Sequence, residues 1–249
     1  MARRKSKMNL YGMLDAEKAM AGLLYGMNPK TIVSVTAKET INFGKGVFFN
    51  GARNAVLNGK HANKAVVDLS AYTTASKDIV LEINGVTISA TTSGTVATDI
   101  AAIISDIADD VENVTATAGT GSDAGKIFLV SDVDGELTVK LSYDGSDVTS
   151  SKVTTSSDAV YAGVAVFHQN AFLDSRGCYI PTESVNVMEK GYIWVVLAAS
   201  VEPTVEADAY VTADGTFTTE SSGNTKVGKF KSGKETGSNS DLLALVSLD

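Results

Sequence analysis

The chain has few residues of the kinds that perform covalent catalysis, since it contains two histidines, His61 and His168, and one cysteine, Cys178. A Ser-His-Asp site would need one of these histidines, and no G-x-S-x-G segment supports such a site. Cys178, in the sequence DSRGCYIP, has no second cysteine to pair with, and this is typical of a buried structural thiol. We therefore predict that the protein is not an enzyme and has no catalytic residue.

Three aspartates, Asp132, Asp134 and Asp144, raise the question of a calcium site. Their spacing lacks the alternating ligands and the terminal glutamate of a twelve-residue calcium loop, and turn formation explains them more simply. A nonspecific divalent-cation site on so acidic a surface stays open. The segment AGTGSDAGK lacks the Lys-Ser/Thr pair and the helix of a phosphate-binding loop. We predict no specific metal site and no cofactor.

The composition favours a mainly β fold. Glycine accounts for 22 of the 249 residues and proline for 3, and Thr, Ser, Val and Ala are abundant, which is typical of short strands and tight turns. The formal net charge of −8 argues against direct nucleic-acid binding, because phosphate contacts need clustered lysine and arginine. Without an apolar run of about 18 residues or a signal-peptide pattern, we expect neither membrane spanning nor secretion.

Residues 1–30 are predicted to form a basic N-terminal arm, because they carry six basic and two acidic residues. Between Leu10 and Met27 the apolar residues recur near helical spacing, which predicts a short helix that needs a packing partner. Asn28-Pro29 would end this helix, since the residue before proline is disfavoured in the α region. For the basic start, a solvated tail and a docking arm are both open.

Two β-rich stretches, residues 31–76 and 159–249, are predicted to form one β-sandwich or barrel-like core. The first contains TIVSVTA, TINFGKGVFFN and KAVVDLSAY, and the second contains SVNVMEKGYIWVVLA and LLALVSL, with glycine and asparagine turns between them. Trp194 lies among apolar neighbours in GYIWVVL, which indicates a buried strand of this core and no ligand role.

Residues 77–158 are predicted to be an inserted, outward-facing α+β domain with a ββαβββ-like order of elements. They carry fourteen acidic residues and four lysines, so this segment accounts for the acidity of the whole chain. The sequence IVLEINGVTISATT predicts a hairpin with its turn at Asn84-Gly85. A Ser/Thr-rich linker is expected near residues 149–158.

A helix is predicted in the sequence TVATDIAAIISDIADDV of this acidic domain. Thr98 and Ser93 are the candidate N-caps, because their hydroxyl oxygens can accept hydrogen bonds from free backbone N–H groups. The apolar face of the helix must lie on a sheet. That face consists of Ile100, Ile103, Ile104 and Ile107.

Several ordered blocks resemble the phage structural cement, or capsid decoration, proteins. The opening block is AMAGLLYGMNPKTIVSVTAKETINFGKGVFF, at residues 19–49. The closing blocks are AGVAVF at residues 162–167, the segment from SVNVMEKGYIWVVL to KVGKF at residues 184–230, and LLALVSL at residues 242–248. The likeness lies in the order and spacing of these blocks. Residues 77–160 look like an insertion relative to shorter family members.

The resemblance implies a structural protein that binds the major capsid protein on the outer capsid surface of the virion and is made in the host bacterial cytoplasm. It also implies a homotrimer and mechanical stabilisation of the head. Unbranched methionine adapts to irregular surfaces, so the basic arm and its apolar residues are the candidate capsid contacts. These contacts are Arg3, Arg4, Lys5, Lys7, Leu10, Met13, Met20 and Met27.

Two other functions stay open at this point. In the first, the chain is a virion surface adhesion protein whose residues 77–158 bind a host glycan or a cell-surface protein. In the second, it is a glycan hydrolase, which would need two carboxylates about 5 to 10 Å apart in a cleft. Aromatic residues, which line sugar sites, are scarce in this chain.

Overall fold

The computed structural model describes residues 19–25, 30–49, 55–131, 137–167, 177–237 and 240–249. Within these residues the chain is mainly β, as predicted, with a barrel-like sheet. Seven of the eight predicted capsid contacts, all except Met20, lie outside the described residues, as do His168, Asp132 and Asp134.

The described residues form strands β1 to β20, helices α1 and α2, and a 3-10 helix, Gly121–Asp123. The helices are α1 (Val96–Asp110) and α2 (Thr149–Lys152). The strands are β1 (Thr31–Ala37), β2 (Ile41–Asn42), β3 (Gly46–Phe49), β4 (Ala55–Val56), β5 (Lys64–Asp68), β6 (Asp78–Ile83), β7 (Val86–Thr91), β8 (Val114–Ala118), β9 (Lys126–Ser131), β10 (Val139–Tyr143), β11 (Ser146–Asp147), β12 (Val153–Ser156), β13 (Val160–Ala165), β14 (Cys178–Tyr179), β15 (Ser184–Val196), β16 (Asp208–Val211), β17 (Phe217–Thr218), β18 (Thr225–Phe230), β19 (Glu235–Thr236) and β20 (Leu242–Leu248).

The chain divides into two compact units. The first contains the described residues of Met1–Phe48, Asn54–Gly59 and Tyr161–Asp249, and the second those of Phe49–Arg53 and Lys60–Val160. Residues 60–76, which we expected in the β core, therefore lie in the second unit. The reason is pairing, because β5 lies between β9 and β12. The outward position of the second unit stays a prediction.

The first unit is built around the long strand β15. Its first half pairs with β1 on one edge and with β13 on the other, and its second half pairs with β20. The ten-stranded sheet continues from β20 through β18 and β16 to β17, and from β1 to β4. Gly191, with φ of +125°, lies between the two halves of β15. Because β15 belongs to both halves of the sheet, it fixes their register.

The interior of the first unit is filled by aromatic and branched apolar side chains. Phe48, Phe217, Phe230, Val187 and Val246 are each 0% exposed. They come from five different strands, so the sheet encloses one core rather than presenting one flat face. The predicted strands of residues 31–49 and 160–248 are present.

The second unit has two four-stranded sheets, in the orders β11-β10-β6-β7 and β12-β5-β9-β8. The predicted hairpin turn is present: Ile83 pairs with Val86, and Asn84 and Gly85 both have positive φ, as a type I′ turn requires. The segment that we expected as a linker instead forms α2 and β12, and β12 pairs with β5. Its hydroxyl-rich composition reflects exposure rather than absence of structure.

Helix α1 packs on β7 and β8 of the second unit. Of the predicted apolar face of this helix, Ile100, Ile103 and Ile107 are buried and Ile104 is partly buried. The expected N-caps are wrong, because the N-cap is Thr95, which makes no side-chain capping bond. Asp99, in the first turn, instead ties the helix to the preceding chain, since its Oδ1 accepts the backbone N–H of Ser93 at 2.8 Å.

The expected helix near the N-terminus is wrong for residues 19–25. Leu24 forms an antiparallel bridge with Ile193, and Gly22 has a φ of +72°, which no right-handed helix permits. The backbone hydrogen bonds offered by β15 outweigh the local helical spacing, because tertiary pairing overrides weak propensity in a glycine-rich segment. The rest of the predicted helix, residues 10–18, 26 and 27, lies outside the described residues.

Candidate functional site

Alternate side chains of strand β15 point to the interior and to the surface of the first unit. Ile193 and Val195 are 0% exposed, whereas Tyr192 and Trp194 are half-buried. Since successive strand residues point to opposite faces, Tyr192 and Trp194 lie on the outer face. The prediction that Trp194 belongs to the buried core is therefore wrong: every residue of YIWVV is apolar or aromatic, and such a run does not reveal its inward face.

Residues 19–25 extend this outer face by docking along β15. The Trp194 N–H donates to the Leu23 carbonyl oxygen at 3.0 Å, and the Tyr25 N–H donates to the Tyr192 carbonyl oxygen at 3.0 Å. Through this register Leu23 lies opposite Trp194, and Tyr25 lies opposite Tyr192. Tyr25 is 57% exposed although its backbone is fixed by the hydrogen bond. An exposed ring is thus held on an ordered backbone.

Strand β20 supplies the other neighbour of Trp194. In the register of β15 with β20, Trp194 pairs with Leu245 and Tyr192 pairs with Ser247. Paired residues of antiparallel strands share a face, so five apolar or aromatic side chains lie on this face. Of these, Tyr25 is exposed, Leu23, Tyr192 and Trp194 are half-buried, and Leu245 is buried. We call them the apolar stripe: Leu23, Tyr25, Tyr192, Trp194 and Leu245.

Charged residues of β18 and its neighbours border the apolar stripe. Lys229 pairs with Ser247, and the Lys231 N–H donates to the Leu245 carbonyl oxygen at 2.7 Å. Glu206 accepts a hydrogen bond from Lys231 Nζ at 2.6 Å and lies 3.9 Å from Lys229 Nζ. The bond to Lys231 lowers the pKa of Glu206 and raises the pKa of Lys231. Asp249 also acts on Lys231 electrostatically, so both acidic and basic side chains border the apolar stripe.

A cavity of about 300 Å³ continues the outer face beyond Trp194. Its wall includes Val196 and Leu243, which pair across β15 and β20, and Met20 from the docked segment. Phe43 and Phe167 also line it, with ring centroids 5.4 Å apart. Of the predicted contact residues, Met20 is the one within the described part of the chain, and it lines this cavity.

A second cleft of the first unit, about 450 Å³ in volume, is lined mainly by charged residues. Lys190, Lys226 and Glu189 contribute to it, and Lys226 Nζ is 2.8 Å from Asp208 Oδ2. Tyr161 also lines this cleft, and its buried hydroxyl has no hydrogen-bond partner among the described residues. Burial raises the pKa of this hydroxyl, so it stays protonated at neutral pH.

The structure separates the residues that we considered for chemistry. Cys178 is half-buried in β14, where it pairs with Asn42 of β2, and Asp144 forms an ion pair with Lys77 at 2.6 Å. In the part of the chain that the structure describes, no cluster of His, Cys, Asp or Glu could hold a metal ion. No helix there is long and apolar enough to cross a membrane.

Comparison with known protein families gives a match for the C-terminal part of the chain. Residues 133–249 match the family model described as "Structural cement protein (E217 gp24/Pam3 gp6)". This match confirms the predicted resemblance to phage structural cement proteins over the closing blocks, whereas the opening block at residues 19–49 lies outside it. No curated protein matches the chain significantly. The matched residues include Tyr192, Trp194 and Leu245 of the apolar stripe.

Proposed function

We propose that this chain, in which residues 133–249 match the family model of phage structural cement proteins, binds the outer surface of the major capsid protein lattice and stabilises the head. The family match is the observation that carries the proposal, because it covers β10 to β20 and hence most strands of the first unit. The stabilising role is mechanical and requires no catalytic group. Tyr25, an exposed aromatic residue that is hydrogen-bonded to β15, supplies a contact of the kind that such a role needs.

The proposed mechanism is adhesion by many copies. The subunits form a homotrimer, and each subunit makes modest contacts with neighbouring capsid proteins. Because the contacts of one trimer are linked, its avidity is far above the affinity of one site. We propose that the basic residues and apolar residues near the N-terminus add to these contacts, since Met20 lines a cavity of the first unit. The added contacts are Arg3, Arg4, Lys5, Lys7, Leu10, Met13 and Met27.

Binding to capsids is the direct test. Purified protein is mixed with expanded capsids that lack it, and the mixture is sedimented. We expect the protein to co-sediment and to saturate at a fixed ratio to the capsid protein. Failure to co-sediment at any concentration tested would contradict the proposal.

A deletion separates this function from host adhesion through the second unit. The deletion should remove Lys60–Val160, because a cut at residue 77 would leave β5 without its partners β9 and β12. If the protein is a capsid cement, the deletion variant still co-sediments with capsids. Loss of host attachment, with capsid stability the same as with the complete protein, would favour the adhesion function instead.

A further inference from the structure

We infer that the second unit unfolds and refolds as a cooperative unit of its own while the first unit stays folded, and that Asn63 holds the two ends of its chain together. The inference concerns the continuous segment Lys60–Val160. It goes beyond the proposed function and does not depend on it, because it follows from contacts within the second unit.

The first argument is the core of the second unit. Its buried apolar side chains form one cluster, whose members all lie between Ala65 and Leu141. Helix α1 contributes Ile100, Ile103 and Ile107 to this cluster. A hydrophobic core of its own, in a segment of about 100 residues, is the mark of a domain that can fold alone. The burial that stabilises the second unit is therefore supplied by its own side chains.

The second argument is the backbone pairing. The two four-stranded sheets of the second unit consist of strands β5 to β12, which follow one another in the chain. In one sheet β5 lies between β12 and β9, and in the other β6 lies between β10 and β7. Loss of one central strand removes the partners of its neighbours in the same unit. Segments of this kind open together, as one cooperative unit.

The third argument is the position of the two ends of the second unit. Lys64 at the start of β5 pairs with Ser156 at the end of β12 in an antiparallel register. Neighbouring strands lie about 4.8 Å apart, so the chain enters and leaves this unit side by side. Chain ends that lie close together are the reason that one domain can be inserted into another without disturbing it.

Asn63 joins these two ends through three hydrogen bonds. Its N–H donates to the Ser156 carbonyl oxygen at 3.1 Å, and its carbonyl oxygen accepts the Ser131 N–H at 2.8 Å. Its side-chain Oδ1 accepts the Asp158 N–H at 2.9 Å. Lys64 Nζ also lies 2.7 Å from Asp158 Oδ2. The bond from the Asn63 side chain thus extends the contact between the ends two residues beyond β12.

The test uses the full chain and two readouts. Calorimetry records the unfolding of both units, whereas tryptophan fluorescence records only the first, because Trp194 is the single tryptophan of the chain and lies in that unit. We expect two calorimetric transitions in the unaltered protein, of which one accompanies the change in fluorescence. Where the two overlap, the variants below should separate them.

Asn63→Ala should lower the midpoint of the transition without a fluorescence change by about 4 °C, because the Asp158 N–H loses its acceptor. The fluorescence midpoint should stay within about 1 °C. Ser89→Ala is the control in the same unit, since Ser89 is exposed on β7, and it should shift that transition by less than about 2 °C.

Tyr179→Phe should act in the opposite way, because the Tyr179 hydroxyl bonds to the Val166 carbonyl oxygen within the first unit. It should lower the fluorescence midpoint by about 3 °C and leave the other transition unchanged. This variant keeps the inference testable if Asn63→Ala does not fold. A single transition that shifts as a whole in either variant, with fluorescence and calorimetry in agreement, would overturn independent unfolding. Equal shifts for Asn63→Ala and Ser89→Ala would overturn the role of Asn63.

Discussion

Gly22 and Gly44 pack backbone against backbone where the docked segment meets the sheet. A Cβ atom on Gly22 would lie 2.9 Å from the Gly44 nitrogen, and one on Gly44 would lie 2.6 Å from the Gly22 nitrogen. Both residues have positive φ, +72° and +71°. The Gly22 N–H also donates to the Trp194 carbonyl oxygen at 2.7 Å. This contact holds residues 19–25 in place and thereby builds one edge of the apolar stripe.

A methyl group at Gly44 should therefore loosen the docked segment. We expect Gly44→Ala to lower the free energy of unfolding by about 2 kcal/mol or more, because strain at positive φ adds to a backbone clash. Gly223→Ala is the control, since Gly223 has a φ of +73° but no atom near its Cβ position; it should cost about 1 kcal/mol. Urea denaturation measures both values. Equal losses for the two variants would show that the close contact contributes nothing.

The Tyr179 hydroxyl connects three segments of the first unit. It donates to the Val166 carbonyl oxygen at 2.8 Å and accepts the Asn186 N–H at 3.4 Å, and the side chain is 1% exposed. Tyr179→Phe should lower the free energy of unfolding by about 1 kcal/mol, because the Val166 carbonyl oxygen and the Asn186 N–H lose their hydrogen-bond partner. Tyr25→Phe, in an exposed ring, should change it by less than about 0.5 kcal/mol. A neutral result for Tyr179→Phe in urea denaturation would contradict this role.

Tyr179 also predicts a dependence of stability on alkaline pH. Burial raises its pKa to about 12 from the ordinary value of 10.0, so the folded state holds this proton more tightly than the unfolded state. This contribution to stability is complete below about pH 10 and declines as the pH rises towards 12. The free-energy difference between the unaltered protein and Tyr179→Phe should therefore shrink above pH 10. If the difference in unfolding free energy between the two proteins stayed constant between about pH 9 and pH 11, the raised pKa of Tyr179 would be contradicted.

The two ends of helix α1 should respond in opposite ways to loss of a carboxylate. Asp99→Ala removes the acceptor of the Ser93 N–H near the N-terminus and should cost about 1 kcal/mol. Asp109→Ala, on the exposed face at the C-terminus, should stabilise the second unit by about 0.5 kcal/mol, because a negative charge there opposes the helix dipole. Thermal unfolding checks both signs. Destabilisation by Asp109→Ala would show that local contacts outweigh the dipole.

The features that the sequence predicted well are those with local causes. The turn at Asn84-Gly85 follows from two residues that tolerate positive φ, and the buried face of α1 follows from isoleucines at helical spacing. The strands of residues 184–248 follow from runs of β-branched and aromatic residues. Local chemistry decides each of these without reference to distant residues.

The features that the sequence did not predict depend on distant partners. Residues 19–25 are extended because Tyr192 and Trp194 supply their hydrogen-bond partners. The strand β5 belongs to the second unit because β9 and β12 lie beside it, which its own sequence does not encode. The apolar stripe went unrecognised for a related reason, since a strand that is apolar at every position does not indicate which face is solvent-exposed.

Capsid stability is the measurement that tests the central claim most directly. Expanded capsids that lack the protein are heated with and without a saturating amount of it, and the temperature of rupture is recorded. We predict a higher rupture temperature with the protein present than with bare capsids. An identical rupture temperature with and without bound protein would contradict a cement function.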